Sequence, residues 1–290
     1  MIGRTMTVGR WPLRLLATNI CHHIISDMKS FSLAIAIVFP FLAAAQADSL
    51  QFFNSFDGTK IAYQVKGTGE PVLLVHGFIS NGESWKRTAL YNDLLTAGYK
   101  VIILDQRGNG RSDKPHTPEA YAKNAEARDI MGLMRRLGVK KYKAVGYSRG
   151  SIITARLLVM DKRLKAAVLG GIGSGFTDPE WPRRKMFYRA LMGDSIPELL
   201  PMVKNVQAGG LDQLALAYLQ KEQPSTSKQE LSKLKQKVLV VCGSSDPDQT
   251  SAKELAGILP RGSFRSVPGD HGSAVRTKEF SSEVISFLRN

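Results

Sequence analysis

The chain has 290 residues, 43% of them hydrophobic and 22% charged, the balance of a soluble globular protein with apolar material for a sizeable core. No disulfide or metal staple is therefore needed for stability, and no internal repeat or low-complexity tract is visible. The formal net charge of +15 could attract an anionic partner, but the basic residues are scattered with no aromatic-interleaved stripe. A solvated basic surface is expected rather than a nucleic-acid interface.

Residues 1–27 hold Arg4, Arg10, Arg14 and the pair His22-His23 but show no fold signal. A start assigned too early, with Met28 as the true initiator, accounts for them. Met28-Lys29-Ser30 then leads an apolar run from Phe31 to Ala45 that ends in Ala45-Gln46-Ala47. This is the basic, apolar and small-residue layout of a secretory signal peptide over 28–47. It predicts cleavage after Ala47 and a periplasmic or secreted mature chain of residues 48–290. The run is shorter than the roughly 20 residues of a comfortable membrane span, so no stable span is expected. Cleavage removes Cys21 and leaves Cys242 alone, next to the apolar run Val238–Val241, as a small buried hydrophobe.

From residue 50 the pattern changes. Phe52 to Phe56 and Lys60 to Val65 flank Asp57-Gly58, a hairpin signal. Compact β-rich runs follow at Val72–His76, Val101–Asp105, Tyr142–Gly146, Ala166–Gly170, Val238–Cys242 and Ser263–Val267. Runs of this kind suit parallel strands covered on both faces. Between them lie helical spacings: Leu90, Leu94 and Leu95 near 86–97, and Ala127, Ile130, Met131, Met134 and Leu137 within 119–137. Gly138 closes the second in the usual position past a helix end. Further helical runs are expected over Ile152–Met160 and Lys278–Leu288. A hairpin followed by alternating strands and helices predicts an α/β fold with a doubly wound, mostly parallel sheet of about eight strands. The stretch from about 176 to 237 has no strand pattern but carries prolines, the cluster Arg183-Arg184-Lys185 and helical leucine spacing, and reads as a helical cap. Trp85, Trp181, Met186, Phe187 and Tyr188 are candidates to line a pocket beneath it.

Gly146-Tyr147-Ser148-Arg149-Gly150 places a serine between small residues at a strand-to-helix junction, the pattern of an exposed nucleophile on a strained turn. A serine hydroxyl is a poor nucleophile at neutral pH and needs a base. After the leader, the candidates are His76, His116 and His271. His76 ends the first parallel strand beside Gly77 and reads as a brace for that loop. His116 sits in a polar, proline-flanked loop, and His271 in the loop after the last strand. Asp246 and Asp248 both follow the penultimate strand and can orient an imidazole; Asp246 is preferred and Asp248 held in reserve. Either could also be a turn-forming aspartate.

Val72-Leu-Leu-Val-His-Gly-Phe78, Asp105-Gln-Arg-Gly-Asn-Gly-Arg-Ser-Asp113, Gly146-Tyr-Ser-Arg-Gly150, Gly243-Ser-Ser-Asp246 and Pro268-Gly-Asp-His271 occur in this order. As a set they resemble the α/β-hydrolase superfamily over about residues 50–290. The resemblance implies a chain order of nucleophile, acid and histidine, hence a triad of Ser148, Asp246 and His271, with oxyanion donors from the amides of Phe78 and Arg149. Haloalkane dehalogenases and epoxide hydrolases of this fold carry an aspartate at the elbow. Serine there implies acyl chemistry on a small-molecule substrate, foremost the cleavage of a carboxylic ester, with no metal or organic cofactor. The alternatives are cleavage of a lactone, amide or carbon–carbon bond, acyl transfer or perhydrolysis, and, further off, a non-catalytic binding protein on the same fold. Asn109 and Arg149 depart from the common pattern, and a guanidinium beside the nucleophile would favour an acidic group on the substrate.

Overall fold

The computed structural model describes residues 49–290; the expected extension over 1–27 and the expected leader over 28–47 lie outside the described residues. The chain opens with a hairpin, β1 (Gln51–Asn54) and β2 (Lys60–Lys66). Gly58 takes the turn at φ 86°, a conformation that costs an L residue with a Cβ but not glycine. Then follow β3 (Pro71–Val75), α1 (Ala89–Thr96), β4 (Lys100–Leu104), α2 (Ala125–Arg136), β5 (Tyr142–Tyr147), α3 (Arg149–Met160) and β6 (Leu164–Gly170). Four helices come next: α4 (Pro182–Leu191), α5 (Leu200–Ala208), α6 (Gln213–Lys221) and α7 (Lys228–Leu231). The chain closes with β7 (Lys237–Gly243), α8 (Gln249–Ile258), β8 (Gly262–Val267) and α9 (Lys278–Arg289). Each of the expected strands is present within a residue or two of its expected bounds.

The eight strands form one sheet in the order β1-β2-β4-β3-β5-β6-β7-β8, antiparallel as far as β2–β4 and parallel from there on. Side chains alternate faces along each strand. Leu73, Val75, Ile102, Ala144, Leu169 and Val240 pack with Ile130 and Leu133 of α2, Ile153 of α3 and Leu255 of α8. Their neighbours Val72, Leu74, Ile103, Val145, Val168 and Val241 pack with Leu90 and Leu94 of α1 and Phe280, Val284 and Leu288 of α9. This is why the strands read as unbroken apolar runs: both faces are covered. The second helical spacing is shorter than expected. Lys123 and Asn124 adopt φ of 54° and 60°, which breaks the helix ahead of Ala125. Helix α8 follows Asp248 directly and has no counterpart among the expected helical runs.

The stretch between β6 and β7 is helical, and its inner residues Leu191, Val206, Leu216 and Leu219 gather around Tyr121 and against Phe78 and Ile79. The cap leucines are thus mostly packing. Among the described residues no helix is long and apolar enough to cross a membrane.

Arg107 is fully buried and ties the open edge of the sheet to its helices. Its Nε donates to Asp129 on α2 at 2.7 Å and its Nη1 to Asp57 of the hairpin turn at 2.8 Å. Removing one partner of a buried ion pair strands the other charge in a poor dielectric. Arg107→Met should therefore lower unfolding free energy by about 3–5 kcal/mol in urea titration, and Arg107→Met/Asp129→Leu by less than Arg107→Met alone.

Candidate active site

Each strand end contributes one part. At the end of β5 the chain turns sharply into α3, and Ser148 carries the turn at φ 53° and ψ −123°. This is costly for a residue with a Cβ and is held by its surroundings. The Ser148 amide donates to the Gly170 carbonyl at 2.8 Å, and the Ser151 hydroxyl donates to the same oxygen at 2.8 Å. The flanking glycines are required by contact. A Cβ on Gly146 would sit 2.4 Å from the Gly150 oxygen, and one on Gly150 would sit 2.1 Å from the Val75 oxygen.

His271 arrives on the loop after β8. Its Nε2 lies 3.0 Å from Ser148 Oγ and its Nδ1 lies 2.9 Å from Asp246 Oδ2. Asp246 is therefore the carboxylate that meets the imidazole, and the three side chains form one hydrogen-bonded line. Tyr147 steadies the loop, its hydroxyl donating to the His271 carbonyl at 2.7 Å. Burial disfavours the charged form of Asp246, but the bond from His271 and the Asp248 amide outweigh it and hold the carboxyl below its ordinary value. Burial pushes the Cys242 thiol up to about 12, reinforced by neighbouring Asp246, so it stays a neutral hydrophobe.

Asp248 is close by but bound to a different partner. Arg183 of α4 donates to its carboxylate at 2.8 Å, tying the cap to the loop that carries Asp246. Asp246, Asp248 and His271 have ligand atoms within 4.8 Å of one another, but Asp246 and His271 are bonded to each other and Asp248 to Arg183. Of the other histidines, His116 bonds Asp212 at the start of α6. His76 accepts from the Gln106 amide at Nε2 (3.0 Å), so its proton sits on Nδ1 and is donated to the Gly77 carbonyl (2.8 Å). Burial lowers its pKa and favours this neutral form.

The loop braced by His76 lies against the nucleophile: a Cβ on Gly77 would come within 3.4 Å of Ser148 Cβ. Neither the Phe78 amide nor that of Arg149, the first residue of α3, meets an acceptor among the described residues. Ile79, next in that loop, holds φ 54°. Such strain is unusual for a β-branched residue and common beside functional groups. Two unbonded amides and a helix N-terminus beside Ser148 Oγ suit a developing oxyanion.

The side chain of Arg149 runs against expectation. Arg149 lines the cavity under the cap, but its guanidinium is tied up inside, giving Nη2 to Glu126 at 2.7 Å and to the Leu219 carbonyl of α6 at 2.8 Å, with both charged groups buried. Its charge is already neutralised and has none to spare for a ligand. Trp181 and Phe187 line a cavity of about 60 Å³ under the cap with Ser148, Ile152, Ile172 and Phe78. Trp85 lines a second of about 210 Å³ on the other side of Ser148. Met186 and Tyr188 line neither, and Tyr188 packs within the cap. Tyr147, Arg87 and Arg276, which line the second cavity, escape a sequence reading because nothing in their spacing sets them apart.

Residues 70–199 match the family model described as alpha/beta hydrolase fold. Epoxide hydrolase 3 of Siraitia grosvenorii is 37% identical over 39% of this chain and 35% of its own length. A non-heme haloperoxidase of Rhodococcus erythropolis is 31% identical over 42% and 44%. The matched segments thus span well under two thirds of these relatives. The structure of an esterase from Rhodococcus sp. ECU1013 superposes with a TM-score of 0.62 and 26% identity, covering 83% of this chain and 99% of that one.

Two outcomes follow from this geometry. Ser148→Gly should be more stable than Ser148→Ala by about 1 kcal/mol in thermal unfolding, because glycine alone accepts the turn without strain. Because the folded Asp246 carboxyl titrates below its unfolded value, it adds stability that is complete above the ordinary aspartate range and is lost as pH falls through the folded value. Asp246→Asn should thus lose less stability than wild type between about pH 5 and 3.

Proposed function

Because this chain belongs to the α/β-hydrolase superfamily, we propose that it is a serine hydrolase that cleaves a small carboxylic ester through an acyl-enzyme. The observation that carries this reading is the continuous line from Ser148 Oγ through His271 to Asp246, at 3.0 and 2.9 Å. His271 Nε2 takes the hydroxyl proton as Ser148 Oγ attacks the carbonyl carbon. Asp246 keeps the other imidazole nitrogen protonated and steadies the imidazolium that forms. The negative charge on the carbonyl oxygen meets the amides of Phe78 and Arg149. His271 then protonates the departing alcohol, and water, activated by the same base, releases the acid.

The residue at the elbow decides between chemistries of this fold. A hydroxyl with a base in contact makes an acyl-serine and has no carboxylate with which to open an epoxide or displace a halide. Cavities of about 60 and 210 Å³ suit short acyl and alcohol groups. With the leader cleaved after Ala47, we place this activity in the periplasm or outside the cell, consistent with a chain that needs no disulfide.

A fluorophosphonate probe should label the wild type and leave Ser148→Ala unlabelled; no labelling of either would point to a binding protein on this fold. His271→Ala should lower kcat by about 10⁴-fold or more, on the scale of Ser148→Ala, because triad members act as a unit. Among 4-nitrophenyl esters, acyl chains of about two to four carbons should be cleaved faster than chains of about eight. Rates that rise with chain length would contradict the small cavities.

A further inference from the structure

The larger cavity beside Ser148 has an unusual balance of charge. Two walls meet there: the short 3₁₀ helix Gly82–Arg87 that follows the Phe78 loop, and the turn Ala274–Arg276 that follows His271. Each ends in an arginine that lines the cavity, Arg87 and Arg276, and neither guanidinium has a hydrogen-bond or ion-pair partner among the described residues. No aspartate or glutamate lines the space. The nearby acids are engaged or turned elsewhere. Glu83 is held by Gln64, Lys86 and Arg111. Asp270 accepts from the Gly272 and Ser273 amides and the Ser273 hydroxyl. Glu279, three residues past Arg276, makes no ion pair among the described residues and does not line the cavity.

A second observation points the same way. Trp85 is 2% exposed and lines this cavity, and its indole N–H has no acceptor among the described residues. A buried donor left unpaired is rare enough to need a reason. The cavity lining thus brings together this indole N–H and two guanidiniums shaped for planar oxyanions.

We propose that this cavity selects substrates bearing a carboxylate or phosphate group, bound by Arg87 and Arg276 while the ester carbonyl lies at Ser148. The inference rests on the ester-hydrolase reading and names its substrate class. It also moves the anion-binding role from Arg149, whose charge is consumed by Glu126, to two arginines on the opposite wall. The guanidiniums steer and orient the anionic end, and the bond broken remains the ester.

The test compares kcat/KM for matched pairs: 4-nitrophenyl hemiglutarate against 4-nitrophenyl valerate, and the butyrate esters of glycolate and of glycerol phosphate against that of ethylene glycol. Wild type should prefer at least one anionic partner by about tenfold, and Arg87→Gln/Arg276→Gln should bring that ratio near one. Raising salt to about 1 M should shrink the wild-type ratio as well. Which pair responds tells carboxylate from phosphate and acyl side from alcohol side. Equal rates for every pair, or a ratio kept in the double variant, would overturn the proposal. Calorimetric titration of Ser148→Ala with glutarate and with inorganic phosphate keeps the two readings apart. Binding lost with the two arginines supports the anion site even if no ester is cleaved, and absence of binding counts against it even if esters are.

Discussion

The backbone of one residue organises this site. Ser148 stands where β5 becomes α3, at φ 53°, and the fold pays for that conformation with close contacts on all sides. Its amide is bonded to Gly170 on β6, Gly146 lies against Gly150, and Gly150 lies against the β3 carbonyls. Those contacts require neighbouring parallel strands on both sides of β5 and glycines where chains nearly touch. The same geometry puts Ser148 at the first turn of a helix, so the Arg149 amide meets no acceptor among the described residues, and beside the end of β3, so the Phe78 loop is within reach. The placement of the Ser148 hydroxyl, of the two amides beside it and of the helix N-terminus follows from one turn.

Much of this arrangement is legible in the sequence. Near-continuous apolar runs at β3 to β7 mark strands covered on both faces, and Asp57-Gly58 marks the hairpin, whereas β8, with Ser263, Arg265 and Ser266, is a partly exposed edge. The glycines around Ser148 marked a place where a Cβ cannot fit. Chain order brought His271 and Asp246 into consideration because β5, β7 and β8 end on the same side of a parallel sheet. The choice between Asp246 and Asp248 was harder to read. Both stand in one loop, and only the three-dimensional path shows Asp246 turned to the imidazole and Asp248 turned to Arg183 on the cap. Helix α8 has no clear mark in the sequence because it begins at once after that loop, without an N-cap side-chain bond. The strain at Ile79 has no sequence mark at all, since β-branched residues ordinarily avoid positive φ.

Charge was the least legible property. A basic chain with many arginines says little about which of them are free. Arg107 and Arg149 are spent inside, bridging the hairpin turn, the helix layer and the cap through Asp57, Asp129, Glu126 and the Leu219 carbonyl. Buried pairs of this kind lock separate elements in one arrangement and leave little field outside. The arginine next to the nucleophile in sequence is therefore a bolt between α3, α2 and the cap, while Arg87 and Arg276, distant in sequence, share the cavity beside it.

The central claim is that Ser148 forms a covalent acyl bond during turnover. Wild-type protein mixed with a slowly deacylating ester and quenched in acid should gain the mass of one acyl group in intact-protein mass spectrometry, and peptide mapping should place it on Ser148. Turnover of that ester with no adduct under rapid quench, or an adduct mapped to another residue, would contradict the account.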